Sequence, residues 1–189
     1  MALLILGLVL FLGAHTFTTM RGARAAVVGR LGEGGYKGLY SLVSGAGLVL
    51  IVIGFGSYRS AGYIQVWNPP RAIFHPIALA LLWFAFVALV AAYAPASRIK
   101  AILRHPMLAG VKAWALSHLL INGDLGSILL FGGLLAWAVW DRIALKRRGD
   151  AGAGPTPWSK NDLMVVAIGT VAYVLMFWLH DTLIGVTAA

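Results

Sequence analysis

The chain has 189 residues, of which 60% are hydrophobic and only 11% charged. A soluble domain of this size carries roughly 25% charged residues, so an ordinary water-soluble enzyme is excluded and an integral membrane protein is indicated. The net charge of +9 comes from 15 Lys and Arg against 6 Asp and Glu. The basic residues fall in short clusters between apolar runs, the pattern of loops facing anionic lipid headgroups, so membrane lipid is the expected partner and nucleic acid is not. Cysteine is absent. That removes disulfides, thiolate metal ligands, iron–sulfur clusters and covalently attached haem.

Six apolar segments follow in chain order, at about 2–20, 38–57, 76–95, 107–121, 125–141 and 162–183. Each is near the ~20 residues that a spanning helix needs. The first lacks a preceding Lys or Arg and a good cleavage site, and is read as a retained helix. The linkers carry turn chemistry: Gly29 to Gly35, Asn68 to Pro70, Ala94 to Ser97, Asn122 to Asp124 and Gly149 to Pro157. The expected fold is all-α, a polytopic membrane bundle of about six transmembrane helices forming a single domain over 1–189. Segments four and five are expected to form a tight hairpin through Asn122-Gly123-Asp124, helped by Gly126, Gly132 and Gly133.

The basic residues alternate between linkers. Linkers one, three and five hold Arg21, Arg24, Arg30, Lys37, Arg98, Lys100, Arg104, Arg142, Lys146, Arg147, Arg148 and Lys160. Linker two holds only Arg59 and Arg71, and linker four none. The positive-inside rule then places both termini on the non-cytoplasmic side, which an even number of spans also requires.

Five histidines stand out in so apolar a chain. His75, His105 and His180 lie near segment ends, where a polar group is cheap to keep. His15 and His118 lie further inside their segments. Ionisable residues there usually face the bundle interior or a cavity. A bland role is a hydrogen bond to a neighbouring helix or to Thr18, Thr19 or Ser117; a functional role is a metal or haem ligand or a proton relay. His105 and His118 cannot share an ion, because thirteen residues are about 20 Å of helix and about 140° of rotation. His118 therefore needs a partner from another helix. Imidazoles from two helices, with no carboxylate cluster beside them, suit b-type haem better than zinc, which wants four ligands in a structural site. On depth alone, His75 or His180 are fair partners for His118, and so is His15 if Arg24 and a snorkelling Lys112 mark the membrane edge.

Several stretches are specific enough to compare: "GAHTF" in the first segment, "FHP" before the third, "AYAPASRIKAILRHPML" leading into the fourth, and "WALSHLLINGDLGSILLFGGLLAWAVWDR". On these the chain resembles the NnrU family of bacterial membrane proteins over nearly its whole length. That family is similar to 15-cis-zeta-carotene isomerase, a membrane protein with haem b held by histidines. The resemblance implies His15 and His118 as haem b ligands, a multi-pass protein of the bacterial inner membrane, and a supporting role in denitrification beside nitrite or nitric oxide reductase components. Lys112, Arg104 or Arg24 would then pair with the haem propionates. The isomerase carries a cysteine three positions before the histidine that matches His118; here Ala115 stands there, so a switch of iron ligand to thiolate is not open to this chain.

Whether the chain is an enzyme stays open at this point. A polyene isomerase would need an accessible reduced iron and a long apolar tunnel. Arg104-His105-Pro106 resembles the motif of isoprenylcysteine carboxyl methyltransferases, but the acids that follow are only Asp124, Asp141, Asp150, Asp162 and Asp181. A cofactor-free structural subunit would use Lys112, Asn122 and Asp124 as interhelical glue.

Overall fold

The computed structural model describes residues 1–185. Seven helices follow one another: α1 (Ala2–Thr19), α2 (Arg21–Ser60), α3 (Arg71–Tyr93), α4 (Arg98–Leu103), α5 (Pro106–Ile121), α6 (Leu125–Arg147) and α7 (Lys160–Ile184). Among the described residues there is no strand, only an isolated bridge between Gln65 and Asp124. The all-α expectation therefore holds. Five helices, α1, α2, α3, α6 and α7, are long and apolar enough to cross a membrane. The expected fourth span is α5, a shorter apolar helix of 16 residues. At 1.5 Å per residue that is about 24 Å, less than the ~30 Å of a hydrocarbon core.

The expected break in the glycine-rich stretch Gly29 to Gly35 is present: Gly32 leaves helical geometry at φ 72° and ψ 165°, so α2 consists of two helical pieces that meet at a sharp kink there. Glycine alone adopts that backbone cheaply. Glu33 bridges the kink, accepting from Arg24 at 3.0 Å and pairing with Lys37 at 3.6 Å.

The described residues group into two compact units. The first contains Met1–Pro69 and Asn122–Ala144; the second contains Pro70–Ile121 and the residues from Leu145 on. In the first, α1 and α2 lie antiparallel with their backbones in close approach. A Cβ on Gly7 would lie 2.6 Å from the Ile51 nitrogen, and one on Gly47 would lie 2.7 Å from the Phe11 nitrogen. Gly54 meets Leu4 in the same way. Small residues permit this, and in lipid such packing replaces the hydrophobic effect as the cohesive force.

The segment after α2 closes onto the start of α6. Val66 and Trp67 donate to the Gly123 carbonyl at 2.9 and 3.1 Å, and Leu125 donates to Ile64 at 2.9 Å. Asp124 caps α6 by accepting from the Ser127 nitrogen at 3.0 Å. Gly126 faces the ring of Tyr58 on α2, and Gly133 meets Leu12 of α1. These two glycines, expected to serve the hairpin of segments four and five, thus receive side chains from the first two helices, while nothing lies within 4 Å of the Cβ position at Gly132.

In the second unit α3 packs on α5 and α7. Val87, Ala91 and Val165 form its buried core, with Val90, Ile99 and Val166 against it. Its helix ends are tied by side chains. Ser97 caps α4 by accepting from the Lys100 nitrogen. The Lys100 ammonium donates to the Ala92 and Ala94 carbonyls at 3.1 and 2.8 Å, closing the end of α3. Asp162 completes a capping box with Ser159 and also accepts from the Ile99 nitrogen at 2.8 Å.

Candidate functional site

His15 is partly buried near the end of α1. Its Nδ1 lies 2.7 Å from the Phe11 carbonyl, one turn back. A carbonyl only accepts, so Nδ1 carries the proton and Nε2 carries the lone pair. Nε2 faces the Tyr40 hydroxyl of α2 at 3.0 Å, which therefore donates to it. The ring is walled by Phe11 at 4.1 Å between centroids and by Trp137 of α6, edge-on at 5.4 Å. An apolar groove lined by other residues of α1 runs along Leu8, Leu12, Thr16, Phe17 and Met20 to Gly133.

The hydroxyls considered as partners for the histidines each donate to a backbone carbonyl of their own helix. Thr18 donates to the His15 carbonyl, Thr19 to that of Thr16 and Ser117 to that of Trp114. The partner that sequence reasoning missed is Tyr40. Its signal was the i, i+4 pair Tyr36 and Tyr40, which puts two phenols on one face of α2.

In the first unit the buried polar atoms without a hydrogen-bond partner are the hydroxyls of Tyr36, Ser44 and Ser127, Trp137 Nε1, Asp141 Oδ1 and Arg142 Nη1; of these residues Trp137 touches the His15 ring. Tyr36 is 6% exposed and Ser44 9%.

His118, His75 and His180 belong to the second unit. His118 is on the last turns of α5, with the Trp114 ring edge-on at 5.2 Å. The ring of His180, from α7, lies 6.5 Å away between centroids. His75 is in the first turns of α3. Lys112 is half-buried one and a half turns before His118. Arg104 is exposed, with φ 59°, and its carbonyl accepts from the Ala153 nitrogen at 2.9 Å. His105 is held by the same loop, its Nε2 at 3.3 Å from the Asp150 carbonyl and 3.8 Å from the Asp150 carboxylate. Among the described residues no three His, Cys, Asp or Glu side chains converge as a metal cluster.

The description of the NnrU protein family matches residues 3–188. The chain belongs to the NnrU family. No curated protein and no solved structure matches it. Membership covers both units, so the histidines of α1, α5 and α7 all fall within the matched length of this NnrU protein.

Proposed function

We propose that this NnrU protein binds haem b within the membrane and serves nitrite or nitric oxide metabolism in a redox or accessory role. His15 and His118 are the proposed axial ligands, and residues 1–189 act as one domain. The observation that carries the reading is the His15 ring. It is an imidazole in a helix fit to span lipid, with its proton fixed on Nδ1 by a backbone carbonyl and its lone pair left on Nε2. A metal-binding histidine is oriented in this way, by donating from its other nitrogen. For His15 to serve as a ligand, Tyr40 would have to give up the hydrogen bond that it now donates to Nε2.

Bound haem would supply one-electron chemistry and an iron centre for nitrogen oxides. The chain's own part is to hold and orient it: two imidazoles as ligands, Phe11 and Trp137 as walls that keep the His15 ring in place, and Lys112 and Arg104 as cations for the propionates. The alternation of basic linkers supports a reading in which both termini lie on the non-cytoplasmic side, with the bacterial inner membrane as the proposed location.

Oxidised and reduced absorption spectra of the detergent-purified protein test this reading. The expected result is a Soret band with sharp reduced α and β bands, lost or shifted in His15→Ala and in His118→Ala. If His180→Ala removes the bands and His15→Ala keeps them, the second ligand is the neighbouring imidazole of His118's own unit. A flat spectrum from haem-sufficient cells overturns the proposal.

A further inference from the structure

We infer that a cavity in the second unit binds a phosphate group at the membrane edge, carried by a lipid headgroup or free in solution. This does not rest on haem. The cavity holds about 170 Å³. Ala96, Ser97 and Lys100 line it from the turn into α4, and Ala153, Gly154 and Thr156 from the loop before α7. All six residues belong to the second unit.

The level of the cavity follows from the helices that end around it. α3 and α7 are both long and apolar enough to cross a membrane; α3 ends at Tyr93 and α7 starts at Lys160. The aromatic residues at those two ends face outward, Tyr93 being 82% exposed and Trp158 64%. Exposed aromatic rings at the ends of spanning helices sit at the headgroup level. The Arg98 guanidinium lies over the Trp158 ring, 5.6 Å from its centroid, and Lys160, two residues on, is exposed. Basic residues at this level attract anionic lipid.

The polar groups that line the cavity select an anion. The Lys100 ammonium donates to the Ala92 and Ala94 carbonyls, and its third proton is left over. Among the described residues it has no ion-pair partner. A half-buried cation without a counter-charge is costly, and a bound anion supplies one. Ser97 is fully buried. Its oxygen accepts from the Lys100 nitrogen at 3.1 Å, and no acceptor among the described residues takes its proton. The Gly154 N–H, across the cavity, has no carbonyl partner among the described residues either. No carboxylate lines the space. An ammonium, a hydroxyl and an amide N–H are the donors that phosphate oxygens accept from. The neighbouring helix starts are already capped. Ser97 and Asp162 take the Lys100 and Ile99 nitrogens, and α7 begins in its own capping box.

The full chain, purified in detergent and stripped of lipid, is titrated with phosphatidic acid and with diacylglycerol of the same chains, and bound lipid is counted by native mass spectrometry. The two ligands differ only in the phosphate. The first phosphatidic acid should bind at least about fivefold more tightly than diacylglycerol. Ala96→Asp sets a carboxylate at an exposed position of the lining and should remove that preference. Lys100→Gln is the second variant, should the first fold poorly. Lys37→Gln, in the first unit with 70% of its side chain exposed, lowers the net charge by the same amount as Ala96→Asp and is the reference. It should change the affinity less than about twofold, because a distant exposed charge is screened. Competition names the source of the phosphate. Displacement of the lipid by millimolar inorganic phosphate assigns the site to the free ion, and a complex that resists it assigns the site to the headgroup. Equal affinity for the two lipids would overturn the site. Equal weakening by Ala96→Asp and Lys37→Gln would also overturn it, leaving only attraction to the net charge.

Discussion

Asp162 shows how much one side chain holds in this chain. It is 4% exposed, and its two oxygens accept from the backbone of two different elements: Oδ1 from Ile99, in α4, and Oδ2 from Ser159, before α7. Asp162→Ala leaves both donors without a partner, at a cost of about 2–3 kcal/mol in stability. Asp162→Asn keeps one acceptor and should lose about half as much. Thermal unfolding in detergent would order the three proteins, and equal losses for both variants would mean that only one of the two bonds matters. The Ser-x-x-Asp spacing made this cap readable in the sequence, but its second bond, to a residue 63 positions earlier, was not. The same holds at His15. Its burial in an apolar run was legible, whereas its Tyr40 partner comes from a helix whose rotation only packing sets.

The α1–α2 pair is where element-scale packing can be tested. Gly7, Gly47 and Gly54 let the two backbones approach so closely that an added Cβ would overlap main-chain atoms. Gly54→Leu should separate the helices near Leu4 and cost about 1–3 kcal/mol, with the His15–Tyr40 contact loosened at the other end of the pair. Gly56→Leu is the control, because nothing lies within 4 Å of its Cβ position. Similar melting temperatures for the two variants would argue against backbone contact. The glycine-rich linker at Gly29 to Gly35 was legible as a break, and the helix is interrupted there; composition did not say which glycine turns, which is Gly32, nor that Arg24 meets Glu33 across it.

At the scale of the whole molecule the number of crossings decides which side each terminus faces. Six crossings place the termini together, and five place them apart. Reporter fusions separate these cases: alkaline phosphatase should be active, and green fluorescent protein dark, at both ends of this NnrU protein. Opposite results at the two ends would mean that α5, with its 16 residues, does not cross. The sequence by itself determined an all-helical membrane protein, because apolar runs of spanning length admit only backbones that satisfy their own hydrogen bonds. It also determined the basic clustering of alternate linkers and the rarity of intramembrane imidazoles. Tertiary structure alone decided which helices carry Tyr40 and Trp137 to His15, which imidazole neighbours His118, and which polar atoms stay unpartnered. Periodicity sets the faces of one helix, but the rotation and depth of a second helix against it depend on where small residues let the backbones meet.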